Sequence, residues 1–431
     1  MRVFYQTICL LAICLISVRC SVKNTTIDSG LKGLYDFEST YLHPEFLAYH
    51  VDDQLTDIHY KIDASEILFS RESTTEPFRS NVQIKYEIYK PEGDSIIVLS
   101  SGTNKVSQAF DGSVNYGVLL GKFSVALEAE NQAALKIVVR DDNRGTSVST
   151  LMTLDKSSIY VRQNFLPTDN EGIPLFRYQV VGGHEAIVRC DRCLANDLKI
   201  YRNSDEIKLP PPPFSDSRLE FPSHQSGLNM DLPMQDKQIE LNLTKGFYFI
   251  TQAEDESAGL TLTVQDTYFP EVAEYNVMAE SLRYITSRTE YENITTGHNE
   301  RKRIEEFWIE CGGDKDHARE LIRTYYRRIQ EANLYFSHIA PGWKTDRGLV
   351  HTVFGNPKKI YRSPSNPDWN TPETEVWLYG EEDNINSLTF TFRKVDSPYT
   401  DKHFVLNRDH VYKTDWERAV TSWRNGRIYT E

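Results

Sequence analysis

A single change of hydrophobic period near Pro270 sets what this chain can become. Upstream, apolar and polar residues alternate, as where Val82, Ile84, Tyr86 and Ile88 are separated by Gln83, Lys85 and Glu87. Period two predicts half-buried strands. Downstream, Ala318, Leu321, Ile322, Tyr325, Tyr326, Ile329, Ala332 and Phe336 fall at helical spacing, so one long amphipathic helix is predicted there. A chain of 431 residues exceeds what one core normally organises. The two regimes therefore predict a multidomain protein, with β-rich modules first and an α+β module last.

Strand patterns divide the first part into two blocks. Residues 55–155 contain two hairpin signals, Pro91-Glu92-Gly93-Asp94 leading to Ile96-Ile97-Val98-Leu99, and Asp141 to Gly145 between Leu135–Val139 and Val148–Leu151. A β-sandwich is predicted. Residues 156–270 predict a second, smaller one, with strands at Leu175–Val180, Gln238–Leu241, Phe247–Ile250 and Leu260–Val264, the middle two paired across Lys245-Gly246. The run Leu209 to Phe214 holds four prolines, which lack the ladder donor, so it reads as a stiff polyproline-type connecting loop. In residues 271–431, helices are predicted around Met278, Leu282 and Ile285, around Ile304, Phe307 and Trp308, from an Asp314 cap onward, and around Trp416, Val420 and Trp423. Val350–Phe354, Glu375–Tyr379 and Ser387–Phe392 read as strands.

The N-terminus has the form of an export signal over residues 1–19: Arg2, then the apolar run Ile8 to Ile16, then Cys20. That run is too short for a permanent span, which takes about 20 apolar residues. Cys20 resembles a lipobox cysteine, although Arg19 stands where a small residue is usual. The expectation is a lipidated Cys20 followed by a tether over 20–54, the acyl chains binding the bilayer at about 0.8 kcal/mol per buried CH₂. That resemblance implies the outer membrane, and the first acid after Cys20 being Asp28 favours the periplasmic face over the cell surface.

The net charge of −14 excludes a nucleic-acid partner, which needs stripes of Lys and Arg. Cys190-Asp191-Arg192-Cys193 lies between strand patterns, so a structural disulfide or two free thiols is expected rather than a redox centre at a helix start. With His184 the pair falls short of four zinc ligands. The clusters Glu254-Asp255-Glu256 and Glu381-Glu382-Asp383 read as solvated loops. Neither a metal nor any cofactor beyond the acyl lipid is expected.

One further stretch, Pro341-Gly342-Trp343-Lys344-Thr345-Asp346-Arg347-Gly348, joins the long helix to the next element of the chain. Around it stand Ile304-Glu305-Glu306-Phe307-Trp308, Tyr325-Tyr326-Arg327-Arg328, Phe354-Gly355-Asn356-Pro357 and Glu375-Val376-Trp377. With these runs, the chain from about residue 271 to its end resembles the GWxTD domain, a family of envelope lipoproteins of Bacteroidota-type bacteria. Physically the motif suits a helix-to-strand corner: Gly342 free to take positive φ, Trp343 as a buried anchor, Thr345 and Asp346 capping the next turn. The resemblance and the predicted anchor imply a non-catalytic scaffold or accessory subunit of an outer-membrane complex for secretion, assembly or uptake. An alternative is an envelope-polymer hydrolase using Asp346 and His351, with His338 or Glu306, as acid/base groups. The chain has no nucleophile elbow, no H-E-x-x-H and no phosphate loop, so no catalytic residue is assigned. A third reading is a glycan- or peptide-binding module with exposed aromatics.

Overall fold

The computed structural model describes residues 42–429, apart from 93–94, 111–116, 130, 178, 182–184, 222, 253–257, 297–298, 364–371, 383 and 385–386. The export signal, Cys20 and Asp28 lie outside the described residues, as do His184, Asp383 and the Glu254-Asp255-Glu256 cluster. No helix among the described residues is long and apolar enough to cross a membrane.

The first module packs two antiparallel sheets face to face. One has the order β1 (Glu45–His50), β2 (Leu55–Asp63), β5 (Val118–Ala126); the other runs β4 (Ser95–Val106), β3 (Val82–Glu92), β6 (Gln132–Asp141), β7 (Thr146–Asp155). Ile58 and Ile62 from one sheet and Ile84, Ile88, Leu135 and Ile137 from the other are fully buried. β1 lies inside the segment read as a tether to residue 54, and it pairs with β2 from Glu45↔Lys61 to His50↔Thr56. The Asp52 carboxylate turns the chain between them, accepting from the backbone N–H of Gln54 and Leu55 at 2.8 and 2.6 Å. From Leu47 to His50 the strand is buried on both faces, so the alternation that marks a half-buried strand is missing.

The second module also has two sheets, β13 (Gln238–Asn242), β10 (Glu185–Arg189), β8 (Leu166–Thr168) and β12 (Leu228–Pro233), β11 (Asp197–Asn203), β14 (Gly246–Thr251), β15 (Leu260–Gln265), β9 (Gln179–Val181). The hairpin expected across Lys245-Gly246 is absent: β13 pairs with β10, whereas β14 crosses to the other sheet between β11 and β15. Gly246, at φ +147°, makes the corner, and the Tyr248 hydroxyl fixes it by donating to Thr244 O at 3.0 Å. Along β14, Tyr248 and Ile250 enter the core of this module. Phe247 and Phe249 face the other way, toward Ile339 and Tyr399 of the C-terminal part. The strand expected over Leu175–Val180 is confined to β9; upstream of it the Leu175 N–H donates to Pro167 O at 2.8 Å and Arg177 pairs with Glu45 of the first module at 2.7 Å. Cys190 and Cys193 form a disulfide, Cα to Cα 5.4 Å, in the buried turn between β10 and β11.

The C-terminal module sets α1 (Tyr275–Ser281), α2 (Arg288–Thr295), α3 (Glu300–Gly312), α4 (Lys315–Phe336), α5 (Asp346–Phe354) and α6 (Lys413–Arg424) against an antiparallel sheet. That sheet has the order β16 (Lys359–Ser363), β17 (Thr374–Tyr379), β18 (Leu388–Lys394), β19 (Phe404–Leu406). Asp314 caps α4, accepting from the N–H of Asp316 and His317. The segment Val350–Phe354, read as a strand, is the end of helix α5. Every residue of that helix is buried, and a short apolar run without polar alternation does not declare its period.

Polar ties join the modules. The Tyr49 hydroxyl donates to Asp191 Oδ2 at 2.8 Å and accepts from the Asp191 N–H at 2.9 Å, while Arg192 reaches Asp53 and Asn164. The disulfide thus closes the turn whose two central side chains hold the first module. The proline run is likewise a strap: Leu209 and Phe214 pack on the C-terminal core, and Pro213 O accepts from the Asp409 N–H at 3.1 Å. Replacing Tyr49 with Phe is expected to cost about 1–3 kcal/mol, because Asp191 loses a donor and an acceptor at a half-buried joint. Urea unfolding followed by circular dichroism should show the lower midpoint.

Candidate functional site

The motif region is built on two backbone contacts that only glycine permits. After α4, Gly342-Trp343-Lys344 forms a 3₁₀ turn laid back against that helix. A Cβ at Gly342 would lie 1.7 Å from Ala332 O, and one at Gly348 would lie 1.9 Å from Gly342 O. Gly342 does not use positive φ, so the requirement is proximity, not conformation. The corner joins helix to helix, correcting the helix-to-strand expectation.

Each remaining motif residue fastens a different neighbour. Trp343 is 1% exposed, lies edge-on to Tyr284 with centroids 6.1 Å apart, and accepts the Tyr284 hydroxyl at its carbonyl at 2.6 Å. Lys344 binds Glu280 at 2.5 Å and donates to Ile207 O at 3.1 Å in the second module. Thr345 Oγ1 donates to Gly342 O at 2.7 Å and accepts from the Gly348 N–H at 3.1 Å, making it the N-cap of α5. Asp346 turns away from that cap. Its Oδ2 accepts from the Leu406 N–H at 2.8 Å and from Arg408 Nη1 at 2.9 Å, and Oδ1 takes Arg408 Nη2. Arg408 in turn donates to Pro211 O at 3.1 Å.

Other buried charges continue the pattern. Arg347 approaches Glu375 at 3.4 Å, donates to Lys402 O at 2.9 Å and lies over the Phe404 ring at 4.3 Å. Glu375 also binds Arg362 at 2.7 Å and accepts from the Trp377 indole at 3.2 Å. Burial pushes the Glu375 carboxyl up, but the two guanidinium groups and the indole hold it below its ordinary value. Arg328 donates to Val353 O at 3.1 Å and Tyr429 O at 2.9 Å, capping α5 and the chain end, and lies 5.1 Å from the Trp423 ring. Burial lowers its pKa to about 10.

The acid/base candidates do not converge. Asp346 and His351 stand five positions apart on α5, about 140° around a helix of 3.6 residues per turn. Asp346 faces Arg408, whereas His351 Nε2 pairs with Glu331 at 2.9 Å. Burial holds His351 below its usual pKa against the pull of Glu331. His338 accepts the Ile339 N–H at Nδ1 at 2.8 Å, and burial, then His403 and nearby cations, push its pKa well down. Glu306 is an exposed partner of Lys302 at 3.5 Å. The partners Arg328, Glu375 and Arg408 were not singled out from the sequence for any role. Arg328 and Glu375 stand in the runs Tyr325-Tyr326-Arg327-Arg328 and Glu375-Val376-Trp377 around the motif, whereas Arg408 lies in none.

Gly348→Ala should cost about 3 kcal/mol or more, because the clash is with backbone that cannot move aside. Asp346→Asn should cost about 3–5 kcal/mol by leaving Arg408 buried without its counter-charge. Both are read from thermal or urea unfolding. Acid should also destabilise the fold in a defined window. His338, His351 and His403 have folded pKa values depressed mainly by burial, so the unfolded chain binds more protons below its own pKa of about 6.5. Stability is then full above that pH and falls as pH drops from about 6.5 toward 5, which urea midpoints across the range would measure. No curated relative matches this chain. Residues 246–425 match the GWxTD domain family, from β14 through α6, so the corner around Trp343 lies within a GWxTD domain.

Proposed function

We propose that this protein is a lipid-anchored, non-catalytic scaffold or accessory subunit of an outer-membrane complex, held by acyl chains on Cys20 at the periplasmic face. The observation that carries this reading is where the motif's charges go. Lys344 and Asp346, through Arg408, are tied to the carbonyls of Ile207 and Pro211 in the second module. The first module is tied on through Tyr49, Asp191 and Arg192. A scaffold needs surfaces at fixed separations, and these joints supply that. A hydrolase needs its acid and base turned toward a substrate, whereas Asp346 and His351 are engaged inside the fold. A glycan platform would draw on exposed indoles, and among the described residues Trp308, Trp343, Trp377, Trp416 and Trp423 are all buried, while Tyr268 and Tyr275 stand exposed.

The test is extraction of cell envelopes in mild detergent followed by affinity purification. A companion protein at stoichiometric level is expected with the wild type, and Cys20→Ser should move the chain out of the membrane fraction. A monodisperse monomer with no companion would remove the scaffold reading. Unchanged membrane retention of Cys20→Ser would remove the anchor.

A further inference from the structure

Strands at sheet edges expose unpaired backbone donors and acceptors, and proteins guard them with charges, prolines or brevity. The long edges of this protein mostly obey that rule: β1 carries Glu45, β4 Lys105, β5 Lys122, β13 Glu240, β12 Asp231 and Pro233, β16 Lys359 and Arg362. β8, β9 and β19 have three residues each. Among the described residues β7 has the longest edge run free of charge, proline and glycine. It is ten residues long, pairs on one side only, with β6, and that run extends from Thr146 to Leu154.

The free side can be located atom by atom. The Gln163 carboxamide accepts from the Asp155 N–H at 2.9 Å and donates to Thr153 O at 2.7 Å, the two bonds a neighbouring strand would make. Residues 153 and 155 therefore point their backbone groups away from β6. By the alternation of a strand, so do Ser147, Ser149 and Leu151. Gln163 closes one end of the edge and leaves this stretch open. Leu151 is 68% exposed.

We propose that β7 is a docking edge on which an extended segment of a partner protein adds as a further strand alongside Ser147 to Leu151. The proposal rests on the scaffold reading and adds to it a surface and a kind of partner. Backbone hydrogen bonds supply affinity in this mode, and side chains at alternate positions supply selectivity. Lys136 and Arg140 of β6 stand opposite Leu151 and Ser147 and are exposed, Arg140 being paired with Asp142 at 3.1 Å. With strands about 4.8 Å apart, these two cations flank the face that an added strand would share, Lys136 across Leu151 and Arg140 across Ser147. They favour a segment carrying acidic side chains on that face. A second copy docked by a two-fold axis would instead turn the same cations toward each other.

The probe is a fluorescein-labelled, acetylated heptapeptide, Thr-Val-Glu-Val-Glu-Val-Thr, titrated into the full chain in detergent and followed by anisotropy. The expected result is saturable binding that weakens about tenfold or more with Ser149→Pro, which removes an outward N–H and no β6 bond. The same loss is expected for a peptide N-methylated at alternate residues, a comparison that leaves the protein untouched. Equal binding of the methylated peptide, or no binding at all, overturns the docking edge. So does a dimer in sedimentation that Ser149→Pro dissolves, since the occupant would then be a second copy. In the envelope extraction, a companion retained by Ser149→Pro sinks this edge and leaves the scaffold reading standing, whereas a companion lost with that variant supports both.

Discussion

The pairing of Asp346 with Arg408 is the contact on which the C-terminal half depends. One carboxylate at the first turn of α5 holds the backbone of β19 through Leu406 and fixes Arg408. That arginine then carries the hold across to the proline strap at Pro211. Taking two charges out of water is expensive, and the mutual attraction repays it only when the other hydrogen-bonding positions are also filled. Here they largely are, by a backbone N–H on the acid and a backbone carbonyl on the base. The acid also sits where the α5 macrodipole favours negative charge. The pair therefore acts less as a source of stability in itself than as a geometric condition: helix, sheet and strap meet correctly or the charges are stranded.

The glycines make that geometry reachable. With no side chain at Gly342 or Gly348, the 3₁₀ turn lies against α4 and α5 against the turn at backbone distance. Trp343 then fills the space beside Tyr284. Close approach of this kind leaves little room for compromise, because a packed interior transmits a small displacement instead of absorbing it.

Much of this was legible in the residues. The long helix and its Asp314 cap, the strand alternation of the first module and the tryptophan-bearing last helix follow from patterns of 3.6 and 2. Two elements escaped through burial on every side. β1 and the end of α5 are sandwiched between apolar surroundings, so the contrast between wet and dry faces that reveals period is absent. β14 reads as a strand, but its change of sheet does not show in its pattern. Phe247 and Phe249 looked like a hairpin arm, yet they serve a neighbouring module. In the motif, Trp343 and Thr345 could be read as anchor and cap from their chemistry alone. The partner of Asp346 could not, because Arg408 is 62 positions away and no local rule joins them.

The path of β14 bears on what counts as a unit. The match to the GWxTD domain begins at residue 246, the first residue of that strand, yet β14 and β15 belong to a sheet completed by β9, β11 and β12 from earlier in the chain. A fragment cut at the start of the match would carry a two-stranded ribbon with Tyr248, Ile250, Leu260 and Leu262 laid bare on one side. The inherited segment and the folding body are therefore offset by two strands. The module before the corner is, in effect, part of the domain's own foundation.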